Sequence, residues 1–333
     1  MFNAMITIQF LFAGKCREYF KTSNIRYLVS ANHVTEGNIS CESINNHEEA
    51  DTLMVWHSIH ASLDRNENDT ITVYSPDTDV LCLLVAFKPS MIKHVFMKTD
   101  NHFIRIESVY NSRGSLRSKA LLSLHTLSGC DTTGRFFGKG KLQWWNCFQE
   151  VNDDIIKAIE CIQSASPLQY VDILQIFVCK LYCPKALQIK TLSEARWYLF
   201  TRSSAQSEKL CPTLGAFKQA VLRAHCQART WLLSDQSVRD LPDPLVNGWE
   251  LADGSYVACT TKETIAPTAI LNLIKCGCNK SNCQSNSCKC FKANLVCTDL
   301  CTCADTCENM DYQRNKGKEQ EEEDEEFFEE FAL

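Results

Sequence analysis

Hydrophobic and polar residues alternate along the first 150 residues in runs that predict helices and strands in turn. Apolar side chains return at helical spacing in HEEADTLMVWHSIHASL, which predicts a helix starting near His47. TITVYS is a short β-rich run, and DTDVLCLLVAF predicts a helix that follows it and ends at Pro89. HVFMK and HFIRIESVY predict two more strands before a second helix, SLRSKALLSLHTLSG. This order predicts a parallel or mixed α/β sheet.

The pattern becomes helical after Trp145 and stays so through roughly Leu233. LPDPLVNGW and WELADGSYVACT then carry two prolines and an Asp253-Gly254 turn, which predict a linker and a small hairpin. Near the N-terminus, ITIQFLF predicts a strand. We expect five segments: an α/β domain over residues 1–150, a helical extension over 151–235, a linker and hairpin over 236–274, a cysteine module over 275–310 and an acidic tail over 311–333.

The composition is that of a globular protein, since 45% of the 333 residues are hydrophobic and 22% are charged. No run reaches the roughly 18 apolar residues of a membrane span. The N-terminal stretch also lacks the basic start of a signal peptide. We therefore expect no membrane partner, and no small-molecule substrate is evident.

The net charge of −6 hides an asymmetry, because nine acids lie between Glu319 and Glu330. Without those nine acids, the net charge of the rest of the chain is about +3. Such an acidic block predicts a disordered, solvated tail. Two alternatives are a competitor for a DNA surface and a motif that binds a protein partner through Phe327, Phe328 and Phe331.

Nine of the 20 cysteines lie in one short segment, whose few apolar residues cannot fold it without crosslinks. Disulfides are disfavoured because the number is odd and Cys-x-Cys pairs suit an S–S bond poorly. Thiolates that converge on Zn²⁺ explain the pattern, and nine suffice for three tetrahedral ions if three of them bridge. The predicted ligands are Cys276, Cys278, Cys283, Cys288, Cys290, Cys297, Cys301, Cys303 and Cys307.

This spacing, followed by Glu308-Asn309, closely resembles the tesmin/TSO1-like CXC domain, a family of zinc-clustered modules that bind DNA. The resemblance implies structural zinc, a DNA partner and a nuclear location. Basic residues in the first half of the module, Lys280, Lys289 and Lys292, are the predicted contacts to phosphate. Where the family places a tyrosine that enters the minor groove, this chain has Ser287.

Three short acidic motifs stand at predicted element ends. Because loops at the carboxyl ends of strands form the usual site of an open α/β sheet, these motifs are expected to converge. Clustered carboxylates repel one another unless a cation neutralises them, and oxygen ligands suit Mg²⁺ or Mn²⁺. The alternative is that the acids cap helices. The residues concerned are Glu49, Asp51, Asp77, Asp79 and Asp131.

Over about residues 40–145, EEADT, SPDTDVLCLL and LSGCDTTGRFFGKGK resemble the second half of the PIN-like flap endonuclease (XPG) superfamily. The resemblance implies a three-layer core, a metal site at those five carboxylates, and DNA backbone contacts from Gly138, Lys139, Gly140 and Lys141. The family's first metal-binding aspartate comes from an earlier strand, but no aspartate precedes Asp51 here. We therefore expect an N-terminally incomplete nuclease-like domain with weak or absent hydrolysis.

Several other residues have structural interpretations. His57 is predicted on the polar face of its helix and His60 on the apolar face, in capping or packing roles. Trp144 and Trp145 are expected to pack against the core instead of stacking on bases. Cys130 is expected to be a buried thiol and not a nucleophile.

The preferred hypothesis is a zinc-dependent DNA-binding protein of the nucleus with a degenerate or truncated nuclease-like domain. The domain combination resembles invertebrate proteins associated with mobile elements. One alternative is a structure-specific DNA nuclease that uses Mg²⁺ or Mn²⁺, so enzymatic activity is undecided and leans towards absent. A second alternative is a protein-interaction module without DNA binding.

Overall fold

The computed structural model describes residues 3–7, 26–31, 34–37, 44–63, 70–202 and 209–262, together with parts of 275–309. Within 275–309, these parts are 275–278, 282–293, 295, 297, 301–303 and 307–309. The chain divides into two units, one within residues 1–260 and one within 261–322. The predicted acidic tail therefore lies outside the described residues.

Two small mixed sheets belong to the first unit. In the first, β1 (Asn3–Thr7) pairs in parallel with β2 (Arg26–Ala31), and β3 (Val34–Gly37) joins β2 antiparallel. The predicted strand ITIQFLF overlaps β1 at Ile6 and Thr7, and its other residues lie outside the described part of the chain.

The second sheet confirms the predicted mixed strand order. Here β4 (Thr70–Tyr74) pairs in parallel with β5 (His94–Lys98), and β6 (Phe103–Arg105) pairs antiparallel with β5. Burial alternates along each strand, as expected when one sheet face covers a core. The core side of the sheet carries Val73, Val95, Met97 and Ile104.

Three helices accompany this sheet: α1 (Ala50–Ser62), α2 (Thr78–Phe87) and α3 (Ile106–Ser128). α3 is interrupted at Gly114, whose φ of 78° and ψ of 162° are not helical. The predicted positions of α1 and α2 are confirmed, with α1 starting three residues after His47. The prediction of a strand throughout HFIRIESVY is wrong, because the chain turns into α3 at Ile106. The β-branched residues of HFIRIESVY are of a type common in strands, but Ile106 and Val109 are both buried and are three residues apart, as on one face of a helix.

Five further helices complete the described helices of this unit. They are α4 (Lys141–Glu150), α5 (Asp153–Glu160), α6 (Val171–Tyr182), α7 (Leu192–Arg202) and α8 (Leu214–Leu232). One hydrophobic core joins them to the α/β part, and it includes Trp144, Trp145 and Phe217. The predicted boundary at residue 150 thus falls within a shared core.

A hairpin of β7 (Trp249–Ala252) and β8 (Ser255–Ala258) confirms the predicted turn. Asp253 and Gly254 have φ values of 50° and 78°, as a two-residue turn of this hand requires. Among the described residues, no helix is both long and apolar enough to cross a membrane. In the described residues of the second unit there is one short helix, α9 (Lys289–Lys292).

Candidate functional site

The cysteine sulfurs gather at the centre of the second unit. All nine lie in one cluster, in which seven are buried and Cys278 and Cys307 are partly exposed. The Sγ atom of Cys276 lies 3.9 Å from that of Cys283, 3.8 Å from that of Cys297 and 3.3 Å from that of Cys303. The side chains of residues up to 27 positions apart therefore converge on one small volume.

These distances fit metal coordination better than disulfide bonding. A disulfide joins two sulfurs at about 2.05 Å, and all nine cysteines are free thiols here. Around a tetrahedral Zn²⁺, with Zn–S bonds of about 2.3 Å, neighbouring sulfurs are about 3.8 Å apart. The Cys288–Cys297 and Cys290–Cys301 sulfur distances, 3.8 Å and 3.6 Å, are close to that value.

Three overlapping groups of four cysteines have sulfurs close enough together to hold a metal ion. Cys276 belongs to all three groups, and Cys283 and Cys297 belong to two each. The groups are Cys276–Cys290–Cys297–Cys301, Cys276–Cys283–Cys297–Cys303 and Cys276–Cys278–Cys283–Cys288. Shared sulfurs are what a multinuclear zinc cluster requires, so the donor set fits zinc.

Local backbone features aim the cysteines inward. Cys288 caps α9, and its sulfur accepts a hydrogen bond from the amide of Phe291 at 3.5 Å. Cys283 has a φ of 59°, a conformation that costs a non-glycine residue some strain. This strained turn sends the buried Cys283 side chain into the cluster.

Glu308 and Asn309 join the two halves of the module. Asn309 donates its side-chain amide to the carbonyl of Leu295 at 3.0 Å and to the sulfur of Cys297 at 3.4 Å. The Glu308 carboxylate accepts hydrogen bonds from the amides of Asn282, at 2.6 Å, and Gln284. These contacts give a structural reason for the Glu308-Asn309 pair that follows the last cysteine.

The thiols perturb one another's acidity. Burial and hydrogen bonds with four neighbouring cysteines raise the pKa of Cys283. Burial also raises the pKa of Cys288, but the Phe291 amide and neighbouring thiols outweigh burial and lower that pKa to about 6. These opposite shifts favour the thiol at Cys283 and the thiolate at Cys288. Ionising all nine needs a cation to offset their repulsion.

The predicted DNA contacts of the module are only partly within the described residues. Lys289 and Lys292 are exposed at the two ends of α9, three residues apart, and Lys280 lies outside the described part. Ser287 is exposed and shares a hydrogen bond of 2.6 Å with Ser285. Phe291, between the two lysines, leaves 39% of its surface exposed.

A second cluster, of carboxylates, lies in the first unit where two helices begin. Asp77 caps α2 and accepts the amide of Asp79 at 2.8 Å, and Asp51 lies in the first turn of α1. One oxygen from each of these three aspartates lies within 4.8 Å of the others, close enough to hold a metal ion. Positive helix N-termini offset part of their mutual repulsion.

Glu49 and Asp131, the other two predicted carboxylates, lie near this group but do not join it. Glu49 accepts hydrogen bonds from Trp231 at 3.0 Å and Gln227 at 3.2 Å, and so links α1 to α8. Asp131 is exposed in the loop after α3. Burial, followed by the charges of Asp77, Asp79, Glu49 and Asp131, raises the pKa of Asp51 to about 7.

Asp79 also has a buried partner that the sequence interpretation did not identify. His125 Nε2 donates to Oδ1 of Asp79 at 2.5 Å, while Lys141 Nζ lies 3.1 Å from His125 Nδ1. Burial raises the pKa of Asp79, but His125 and Lys141 more than compensate and lower it. The available sequence signal was a histidine on the apolar face of SLHTLSG, where only a polar partner makes burial favourable.

The two lysines of the GKGK segment make contacts within the first unit. Lys141 is buried and bonded to His125 and Ser128. Lys139 donates to the carbonyl of Leu181 and lies 4.7 Å from the centre of the Tyr182 ring. The Lys141 ammonium is therefore already occupied by buried partners, whereas Lys139 is half-buried, and DNA contact through these lysines stays a prediction. Gly138 and Gly140 lie in the turn before α4.

Packing or capping roles were predicted for two tryptophans, two histidines and Cys130, and the structure agrees with some of these predictions. Trp144 and Trp145 are buried, as predicted. The face assignment of the histidines is wrong, since His57 is buried whereas His60 is partly exposed. Burial, helped by His60 and His47, lowers the pKa of His57 to about 4, so it packs as a neutral ring. Burial raises the pKa of the Cys130 thiol, as expected of a residue that is not a nucleophile.

The sulfur geometry defines a cysteine-rich module suited to zinc. Residues 273–311 match the family model of the tesmin/TSO1-like CXC domain, cysteine-rich domain. No curated protein and no solved structure matches the chain. The likeness of residues 40–145 to flap endonucleases and the association with mobile elements therefore rest on the sequence motifs alone.

Proposed function

We propose that this protein binds DNA through a zinc cluster in its cysteine module. The observation that carries the proposal is the convergence of nine free thiols, within a segment that matches a CXC domain, beside two exposed lysines. Zinc would give shape to a segment whose described residues form a buried cluster of cysteines alone. Lys289 and Lys292 would then approach phosphates from one short helix.

The module holds three zinc ions in this proposal. Nine thiolates fill the twelve positions of three tetrahedral ions when three thiolates bridge two ions each. Cys276, Cys283 and Cys297 recur among the three groups of four, so we assign them as the bridging ligands. The other six cysteines would bind one ion each. Because a bridging thiolate binds two ions, Cys276 would serve two of the three groups, and Cys307 would replace it in the third.

DNA binding would depend more on charge contacts to phosphate than on a side chain inserted into the minor groove. Ser287, which replaces the family's tyrosine, offers a hydroxyl in place of a ring. The exposed Phe291 is a ring flanked by Lys289 and Lys292 within the same helix. We therefore expect salt-sensitive binding with modest sequence preference, and a nuclear location in keeping with a DNA ligand.

The test is retardation of a short DNA duplex by the whole protein over a range of salt concentrations. Binding should weaken steeply with salt, disappear after zinc chelation and return when zinc is added back. Lys289→Ala/Lys292→Ala should lower the affinity. The matched control Lys185→Ala/Lys190→Ala removes two exposed charges from the first unit and should not. Binding that persists after chelation contradicts the proposal, and no binding at any salt concentration favours a protein-interaction module.

One observation favours a second function, a divalent-metal site in a nuclease-like first unit. The Asp51, Asp77 and Asp79 carboxylates are close enough to hold a cation, and burial together with the neighbouring carboxylates raises the pKa of Asp51 to about 7. Mg²⁺ or Mn²⁺ at such a site can activate water for phosphodiester cleavage. Cleavage of branched DNA with Mn²⁺ that is lost in Asp51→Asn would support this function. Absence of cleavage would leave the first unit as a degenerate scaffold.

A further inference from the structure

One face of the β4–β5–β6 sheet is exposed, although it includes a parallel strand pair. Parallel strands are usually covered on both sides, so an open face beside such a pair is unusual. The core side carries aliphatic residues, whereas the open side carries rings and cations. We name this open side the aromatic sheet face, and it comprises Tyr74, Phe96, Lys98, Phe103 and Arg105.

The strand register places these side chains in rows across the sheet. Lys98 lies opposite Tyr74 on one side and Phe103 on the other. Its ammonium lies 5.4 Å from the centre of the Tyr74 ring. In the next row, Phe96 lies opposite Arg105, and the Phe96 and Phe103 rings stack with centres 4.9 Å apart. Rings and positive charges therefore alternate over a short distance.

Two of the rings are exposed, and the carboxylate of Glu107 beside this face is already paired. Tyr74 and Phe103 leave 68% and 58% of their surfaces exposed. Glu107 lies at the edge of this face, where it contacts Lys88, His94 and Arg105. Glu107 offsets part of the charge of Arg105, and Lys98 adds a positive charge beside the rings, so the aromatic sheet face suits an anion carrying flat groups.

We propose that the aromatic sheet face binds single-stranded nucleic acid. Unpaired bases would stack on Tyr74 and Phe103, while Lys98 and Arg105 contact the phosphates between them. Single strands fit this face because their bases are free to stack, whereas a duplex hides the base surfaces between neighbouring pairs. Closely spaced rings and cations are the side chains that bind the bases and phosphates of a single strand. This site does not involve the cysteine module.

The experiment measures binding of a fluorescent oligothymidylate of about 12 nucleotides to the whole protein by anisotropy. Tyr74→Ala/Phe103→Ala should weaken binding at least about tenfold, since each stacked base contributes. Tyr74→Phe should keep most of the affinity. Lys98→Gln/Arg105→Gln should reduce the slope of log K against log salt by about 0.7 for each cation lost. Because these side chains are on the surface, the melting temperatures should match that of the wild type.

The hairpin provides a matched control. Leu251 and Tyr256 are an exposed cross-strand pair, so Leu251→Ala/Tyr256→Ala removes similar apolar surface elsewhere and should leave binding unchanged. Zinc chelation should also leave oligothymidylate binding in place, which separates this site from the cysteine module. Four outcomes would each overturn the proposal: no binding, loss of binding on chelation, full affinity in Tyr74→Ala/Phe103→Ala, or a dimer that this double variant dissociates.

Discussion

The Nε2 atom of His125 lies 2.5 Å from Oδ1 of Asp79, and both residues are buried in the first unit. Forty-six positions separate them in the chain. The imidazole stays neutral because burial and the nearby Lys141 ammonium lower its pKa. His125 can therefore donate one ring nitrogen to Asp79 and accept Lys141 at the other. In the aspartate cluster, the pKa of Asp79 is therefore lowered, whereas the pKa of Asp51 is raised.

Replacing His125 with leucine should destabilise the protein by about 3 kcal/mol at pH 7, because Asp79 and Lys141 each lose a buried partner. Urea unfolding measures the change. The pKa of Asp79 is lowered in the folded state, so its stabilisation is present above the unfolded pKa near 3.8 and is lost as pH falls below that value. The difference between variant and wild type should therefore shrink below about pH 4. A difference that is constant with pH would contradict the role of Asp79.

Asp51→Asn should stabilise the protein at pH 8 by about 2 kcal/mol in the absence of divalent metal. The folded pKa of about 7 lies above the model value of 3.8, so the wild type loses stability as pH rises between these values. Asparagine removes this dependence. Melting temperatures from pH 4 to 8.5 test it, and Mn²⁺ should raise the melting temperature of the wild type alone. Parallel pH profiles for the two proteins would count against the raised pKa.

The zinc content of cysteine variants should distinguish bridging ligands from ligands that bind one ion. We expect about three ions per chain in the wild type, loss of more than one in Cys276→Ser, and loss of at most one in Cys278→Ser. Elemental analysis after gel filtration gives the numbers. Cys161→Ser, outside the cluster, is the control and should keep all the zinc. Equal losses in the two cluster variants would refute the assignment of Cys276 as a bridging ligand.

Gly248→Ala should destabilise the first unit by about 2 kcal/mol. Gly248 has a φ of 81°, and an added Cβ would lie 2.8 Å from the carbonyl oxygen of Gln219. Gly134→Ala is the matched control, because Gly134 has space for a Cβ and no positive φ is recorded for it. Chemical denaturation of both variants makes the comparison, and similar free energies of unfolding would show that the contact with α8 is unimportant.

Local structure could be predicted from the sequence where neighbouring residues determine it. The Asp253-Gly254 turn is favoured by local backbone preference, and Asp77 caps α2 through its own neighbour at residue 79. The strand assignment failed at Ile106 because β-branched residues suit both a strand and a buried helix face. Burial among distant elements decided between these two structures.

The sequence by itself determined that the cysteine module carries ligands suited to a soft metal, because thiol number and spacing limit what can crosslink a segment with few apolar residues. It also indicated a convergence of five carboxylates at element ends, of which Asp51, Asp77 and Asp79 do come together. Only the tertiary structure decided that Lys141 faces inward to His125 and that Glu49 binds α8. The physical reason is that burying a charge requires a partner. The partners here come from other helices, and no local pattern specifies them.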